Sequence, residues 1–337
     1  MSGSNAPSRS TPPGSARSAD EAFARSVVPH RSVGAHKWDV GGVIVVAGSP
    51  ALTGAAYLAC RAAGRAGAGI VYLASGRSVI TMLTGAMPEV AHILLPETDA
   101  PGAGRRAVER IEPYLEKARA VVVGPGLGDD EATDHLLSAL FGFGGGHSTA
   151  TAHIGFGQRV AAPGESSMAA SPLFANADLK IVVDADGLNW LAKQDAWWDH
   201  VPANRLVLTP HPGEMARLTG REAKEIAADP QAVAKEFATA WKQVVVIKSG
   251  YAAVSDGTTT LVADDAPTSL ASAGTGDVLA GTIGAYLAQG LAPMDAAGLA
   301  FFTGTRAART AEAIFGELGV IATDLPDVIA TELRLIS

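Results

Sequence analysis

The stretch Ala271-Ser-Ala-Gly-Thr-Gly-Asp-Val-Leu-Ala-Gly281 joins a turn of small residues to an apolar helical pattern, with an acid at the junction. Small residues let the backbone approach a phosphate closely, and the N–H groups of the first helical turn point at it. Asp277 then stands in that turn, beside the anion. A carboxylate there can take a proton from a hydroxyl that attacks phosphorus. It can also simply stabilise the helix N-terminus, as acids commonly do. The motif alone leaves both readings open, and its surroundings have to decide.

Outward from this stretch, short β-rich runs alternate with helical patterns from Trp38 onward. Strands are predicted at 43–47, 70–74, 91–95, 120–123, 180–184, 205–208 and 244–248. Several are unbroken runs of Val, Ile and Leu, as expected for strands buried on both faces of a parallel sheet. Helical segments fall between most of them, at 53–66, 105–117, 130–140, 187–193, 215–218 and 230–241. A hairpin is expected at 252–255 and 259–262, turning at Asp256-Gly257. Helices at 275–289, 294–315 and 325–335 close the chain. The pattern predicts one α/β domain over 36–337, a doubly wound and mostly parallel sheet flanked by helices.

Two regions interrupt the alternation. Residues 1–35 are expected to be a disordered or extended tail, since 1–19 hold almost no large apolar side chain. Between Gly142 and Asn176 a long insertion shows no convincing period and reads as a lid, an interface element or a mobile loop. His147 and His153 within it have no acidic or cysteine companions and read as solvated loop histidines.

Composition narrows the function. Hydrophobic residues make up 47% and charged residues 18%, so most of the chain should fold. A net charge of −8 argues against nucleic acid and offers no basic patch to a membrane. It does not exclude a phosphate ligand, because helix N-termini hold anions without net positive charge. No signal peptide or membrane span is legible, which predicts a soluble, cytoplasmic protein. The single cysteine, Cys60, excludes an internal disulfide and lies in an Ala-rich helical pattern as a small core residue.

The remaining informative segments sit at predicted strand ends, where open α/β sheets place ligands. Gly48-Ser-Pro-Ala-Leu-Thr-Gly54-Ala55 is a small-residue loop entering a helix. Gly124-Pro-Gly-Leu-Gly128 is a glycine turn without the Gly-Lys-Ser/Thr ending of a Walker loop. Asp184-Ala-Asp-Gly-Leu-Asn189 offers two carboxylates and an amide to hydroxyls or a hydrated Mg²⁺, or else Asp186 caps a helix. Thr209-Pro-His-Pro-Gly-Glu214 holds His211 between prolines on a stiff backbone, with Glu214 in the first turn of a helix, either complementing its dipole or near a metal. Lys248, after the run Val244–Ile247, is a phosphate contact or a solvated cap. Each signal is modest; their repeated placement at one sheet edge is the stronger argument.

Together these residues carry a resemblance. His36-Lys37, GSPALTGAAYLACRAAGRAGAGIVYLAS, VVVGPGLG, VVDADGLN, LTPHPGEMARLTG, VVVIKSG and ASAGTGDVLAGTIGAYLAQG occur in this order over roughly residues 36–290. In that combination the chain resembles the ribokinase-like superfamily and, within it, the ADP- or ATP-dependent NAD(P)HX dehydratases, the YjeF C-terminal-domain family. The resemblance implies dehydration of NADHX or NADPHX, the hydrated reduced cofactors, with ADP or ATP as phosphoryl donor, Mg²⁺ as cofactor and a homo-oligomeric state. Asp277 matches the base position of the superfamily, and Gly274, Thr275 and Gly276 match its anion-holding turn. Lys248, Ser249, Gly250, Tyr251 and Ala252 match the nucleotide-binding segment, although the Tyr251-Ala252 end is not typical. Gly54, Ala55, Gly126, Gly128 and His211 match positions around the hydrated nicotinamide, with Asn189 the amide beside them. Glu214 falls where the superfamily's Asn-x-x-Glu element influences Mg²⁺, directly or through water.

The chain departs from the pattern in three places. Pro267-Thr-Ser-Leu270 replaces an Asn-x-Gly-Met-Ala type run, the 142–176 insertion is longer than the family leads one to expect, and the roughly forty residues before the first strand are too few for the epimerase domain of many bacterial members. A small-molecule kinase of the same superfamily, of hydroxyethylthiazole or sugar type, is the alternative reading. A nucleotide-binding regulator that has lost catalysis is the third.

Overall fold

The Val- and Ile-rich runs do become strands, because a β-branched side chain fits a pleated surface covered on both sides. The computed structural model describes residues 16–143, 171–249, 252–263 and 266–337. Its strands are β1 (Arg17–Ser18), β2 (Gly42–Val46), β3 (Ile70–Gly76), β4 (Ala91–Leu95), β5 (Ala118–Val123), β6 (Lys180–Val183), β7 (Leu206–Leu208), β8 (Val244–Ile247), β9 (Ala252–Ser255) and β10 (Thr260–Ala263). Among the described residues they form one sheet in the order β1-β10-β9-β8-β7-β6-β5-β2-β3-β4. All neighbours are parallel except β9, which runs against both β8 and β10.

Alternate residues of each central strand feed two apolar layers. Along β2, Val43 and Val45 join one layer while Ile44 and Val46 join the other. The first layer packs under the helices Thr53–Arg65, Thr275–Ala288 and Pro293–Phe315. The second packs under Ala103–Leu115, Glu131–Phe141 and Pro230–Trp241. Helices Thr53–Arg65 and Thr275–Ala288 touch backbone to backbone, since a methyl group at Gly281 would overlap the Ala59 carbonyl. Cys60 is buried in the first layer, as its Ala-rich surroundings imply.

The winding direction reverses between β2 and β5. From β2 the chain proceeds outward through β3 to β4, then returns to place β5 on the other side of β2. Open sheets bind ligands at such a reversal, beyond the carboxyl ends of the strands. Backbone hydrogen bonds continue the ladder past those ends. Gly48 N–H donates to Pro125 O, Asp184 N–H to Val123 O, Thr209 N–H to Val183 O and Lys248 N–H to Pro210 O, at 2.8 to 3.2 Å. The loops after five strands are thereby held in one row.

Three parts of the sequence reading are corrected. The tail assigned to 1–35 is structured from Arg17: β1 pairs with β10, and a helix follows at Glu21–Val27. Asp20 caps that helix, Glu21 pairs with Arg306 at 3.0 Å, and Arg25 donates to the carbonyls of Leu335 and Ile336. Tertiary partners therefore order a segment whose own composition does not. The 142–176 insertion ends in a short helix, Pro172–Ala175, with Leu173 fully buried. Arg205 holds it by donating to the carbonyls of Leu173, Asn176 and Leu179. His147 and His153 lie outside the described residues. A helix at Arg77–Leu83 also forms, although its β-branched Val79, Ile80 and Thr81 give little helical signal. No helix among the described residues is long and apolar enough to cross a membrane.

Candidate active site

The Gly-Thr-Gly turn does feed a helix. Gly274 takes φ +90° at the N-cap, a conformation that favours glycine, and Thr275–Ala288 follows. The hydroxyl of Thr275 donates to Leu270 O and Ser272 O, tying the atypical Pro267–Leu270 run to the helix start. The N–H groups of Gly276 and Asp277 have no intrahelical acceptor and are left to a ligand.

Next to that helix end lies a buried charge cluster. Lys248, just beyond β8, donates to Asp184 Oδ1 at 2.6 Å and stands 3.8 Å from Glu214 Oε2. Thr209, fully buried, donates to the same Asp184 oxygen at 2.8 Å. Gly276 passes so close that a methyl group there would lie 3.2 Å from Lys248 Nζ. Burial pulls the Lys248 ammonium down, but Asp184 and Glu214 outweigh it and hold its pKa above the ordinary lysine value. Burial pushes Glu214 up, reinforced by Asp184 and opposed by Lys248. Burial, then the charge of Asp184, pushes the Asp277 carboxyl up to about 7, with Lys248 pulling the other way. A carboxylate poised near neutrality suits proton abstraction better than one at the usual value near 4.

The other site residues meet along the same edge. Gly126 adopts φ +63°, and a methyl group there would lie 2.8 Å from Leu52 O and from Ala55 Cβ, so the glycine turn packs on the loop carrying Gly54 and Ala55. Gly54 itself faces open space. Gly128 donates its N–H to Asp186 Oδ2 at 2.8 Å. His211 caps the helix Pro212–Thr219: its Nδ1 accepts from Gly213 and Glu214 N–H, and Glu214 Oε2 accepts from His211 N–H at 2.8 Å. With Nδ1 accepting, the ring proton sits on Nε2 of a half-exposed imidazole. Asn189 uses its amide on Asp186 at 3.3 Å and on Arg217 at 2.9 Å. Gly250 and Tyr251 lie outside the described residues, and Ala252 is a buried residue of β9.

Between Asp184 and Asp186 the backbone is strained: Ala185 sits at φ +46°, ψ −116°, where a non-glycine residue is costly. Gly124 closes against this turn at φ +121°, and a methyl group there would overlap the Asp184 carbonyl. Gly124→Ala is therefore expected to lower the melting temperature, by about 1–3 kcal/mol of stability, and turnover together. Thermal melts and initial rates of the variant check this, and unchanged values would show the turn to be looser than described.

A cavity of about 400 Å³ opens beside the cluster. Lys248, Ser249 and Gly276 line its polar end, while Leu270, Val278, Phe301 and Ile329 wall the rest. Thr305 also lines it, and its buried hydroxyl has no partner among the described residues. An apolar slot with an ammonium and free backbone N–H groups at one end suits a nucleobase with its phosphates at the mouth. For a metal, no cluster of three or more His, Cys, Asp or Glu side chains forms a ready site among the described residues. Asp184 and Glu214 are hard oxygen donors, and this pair fits a Mg²⁺ that arrives on phosphates and keeps part of its water.

Sequence reasoning places Asp184 among hydroxyl or Mg²⁺ contacts without revealing that Lys248, 64 residues away, is its partner. It misses Thr209 and Thr305. The only signal for Thr209 is a hydroxyl at the end of the Leu206–Leu208 run, ahead of Pro-His-Pro.

A family model described as NAD(P)H-hydrate dehydratase matches residues 43–143 and 155–331. The bifunctional NAD(P)H-hydrate repair enzyme Nnr of Moorella thermoacetica is 36% identical over 317 residues, covering 93% of this chain and 53% of that protein. The chain spans about half the length of the curated relatives it matches. The crystal structure of an ADP/ATP-dependent NAD(P)H-hydrate dehydratase from Bacillus subtilis, co-crystallised with ATP and Mg²⁺, aligns with a TM-score of 0.73 at 22% identity, over 96% of this chain and 100% of that one. A ribokinase-like superfamily protein of Enterococcus faecalis aligns with a TM-score of 0.71 at 17% identity, over 94% and 95%. With its ribokinase-like fold and a family match running from β2 into the last helix, the chain belongs to the NAD(P)H-hydrate dehydratase family.

Proposed function

We propose that the chain dehydrates (6S)-NADHX and NADPHX to NADH and NADPH, using ADP or ATP as phosphoryl donor. The observation that carries this reading is the Asp277 carboxyl, held near neutrality at a helix N-terminus beside the Lys248–Asp184 pair and a nucleotide-sized cavity. Asp277 takes the proton of the C6 hydroxyl while the hydroxyl oxygen attacks the terminal phosphorus of the donor, whose bridging P–O bond breaks to release AMP from ADP or ADP from ATP. Lys248 and the N–H groups of Gly276 and Asp277 stabilise charge developing on the transferred phosphoryl oxygens. Asp184 and Thr209 keep the Lys248 ammonium in place. Mg²⁺, when bound with the donor, neutralises phosphate charge; Asp184 and Glu214 are the residues that would hold it.

Phosphorylation turns hydroxide, a poor leaving group, into phosphate, a good one. The ring nitrogen's electron pair then expels phosphate, C5 loses a proton, and the C5–C6 double bond is restored. Kinase machinery so performs a net dehydration. His211, whose Nε2 lies 3.6 Å from Glu214 Oε1, is assigned together with Gly54, Ala55, Gly126 and Gly128 to holding the hydrated nicotinamide.

The test is recovery of reduced-nicotinamide absorbance from NADHX and NADPHX with Mg²⁺ and either ADP or ATP. Nucleotide-dependent recovery with release of inorganic phosphate supports the dehydratase. Nucleotide binding without recovery would instead point to a kinase acting on another alcohol.

A further inference from the structure

Three segments far apart in sequence meet at Arg306, in the middle of the helix Pro293–Phe315. Its Nη1 donates to Glu21 Oε2 at 3.0 Å and its Nε to Glu332 Oε2 at 2.8 Å. Thr310 donates to the other Glu332 oxygen at 2.8 Å, so both oxygens of a residue only 3% exposed are engaged. The guanidinium also lies over the Phe302 ring, 5.6 Å from its centre. Around this knot the helix Glu21–Val27 docks on both closing helices. Phe23 packs against Gly298, where a methyl group would lie 2.8 Å from its ring, and Arg25 donates to the carbonyls of Leu335 and Ile336.

The same two helices wall the apolar slot beside Lys248. Gly298, Phe302, Arg306 and Thr310 follow one another at four-residue spacing and form one stripe of Pro293–Phe315. Ala300, Phe301, Gly304 and Thr305 line the cavity from the opposite side of that helix. Leu325–Ile336 is divided along its length: Leu325 and Ile329 line the cavity, and Glu332 follows about a turn later. The chemistry at Asp277 does not use the Arg306 knot, yet the knot sits directly behind one wall of the slot.

We propose that Arg306 is a positioning residue for the donor nucleotide, acting by fixing the spacing of these two helices and so the width of the slot. The proposal rests on the reading that the slot takes the donor's base. Without the guanidinium, Glu332 is left buried with a single hydroxyl partner, and a stranded carboxylate moves toward water. The helices that cover it part to let it out, and the slot loses its fit to a flat base. Because Glu21 is bound to the same guanidinium, the docked N-terminal helix and the bound donor stabilise one another, each by the same factor. A segment that lines no part of the cavity thereby sets donor affinity.

The experiment titrates ADP with Mg²⁺ into the wild type, Arg306→Met and Arg306→Lys by calorimetry, and follows amide hydrogen exchange across residues 21–27. Arg306→Met is expected to weaken ADP about tenfold, with the NADHX KM unmoved and most of kcat regained at saturating ADP. Arg306→Lys should regain part of the affinity, because it keeps a cation against Glu332 without the planar fork. A folded Arg306→Met variant that binds ADP as the wild type does overturns the proposal, and so does a loss of kcat with donor affinity unchanged. Exchange needs no variant: in the wild type, saturating ADP should slow exchange across 21–27 about tenfold, the reciprocal of the same coupling. Equal rates with and without ADP overturn the proposal even if Arg306→Met fails to fold. A wild type that binds ADP and restores NADH from NADHX while failing these tests leaves the dehydratase reading standing and removes the role of Arg306 alone. A wild type that binds no ADP removes the donor reading and the proposal with it.

Discussion

Asp277→Asn is expected to lower turnover roughly a hundred- to ten-thousand-fold, the usual contribution of a positioned general base, while nucleotide affinity stays close to wild type. The amide keeps the shape and the helix-end position but cannot take a proton. The wild-type pH profile should report the same group. Asp277 titrates at about 7, so kcat/KM rises with pH below that value and levels off above it as the base ionises. A stability readout has the opposite sign. The Asp277 pKa is raised on folding, so its protonated form favours the native state at low pH, and this contribution is lost as pH rises from about 4 to about 7. Asp277→Asn carries no charge to bury and should melt higher than wild type above neutral pH. An inactive variant with wild-type melting across this window would leave the carboxyl unburied and the base assignment without its physical cause.

Lys248→Met is expected to have the largest effect on the folded state. It removes the cation between Asp184 and Glu214, carboxylates that are 1% and 7% exposed, and leaves both without their charge partner. Breaking one side of a buried pair costs about 3–5 kcal/mol, because the remaining charge stays desolvated. Turnover should fall as the ammonium facing the phosphoryl group is lost. Whatever activity remains should show its acid limb displaced to higher pH, since Lys248 is the group that pulls Asp277 down. The paired variant Lys248→Met/Asp184→Asn should regain much of the stability without regaining activity, because it removes the stranded charge but not the need for a cation. A double variant no more stable than Lys248→Met would mean that the pair is not what holds this edge together.

The parts of the fold legible in the sequence are those set by local pattern. Valine runs such as Val121–Val123 and Val244–Val246 need cover on both faces and announce a central parallel sheet. Glycines 124, 126 and 128 announce turns because all three adopt positive φ. What stayed illegible depends on distant partners. Arg17-Ser18 has no strand character and pairs only because β10 presents an edge to it. Asp184 looks like any acid at a strand end until Lys248 and Thr209 converge on one of its oxygens. In the site, the glycine turn and Asp277 could be placed from spacing, whereas the cavity of about 440 Å³ lined from the ends of β2, β3, β4 and β5 and the starts of two helices has no signature in any one of them.

The pairing of Arg17-Ser18 with Leu261-Val262 also bears on how the molecule is assembled. Among the described strands, the first in chain order belongs beside the last, so it waits unpaired until nearly the whole sheet has formed. Closing so long a loop carries a large entropic cost before any contact repays it, which makes this docking a late and slow event. Until it happens, β10 offers open backbone groups at the sheet's margin, the feature through which strands of different molecules join. A chain trimmed through Val27 would therefore show its defect first as self-association during synthesis or refolding, while molecules that folded without β1 would retain Asp277 and Lys248.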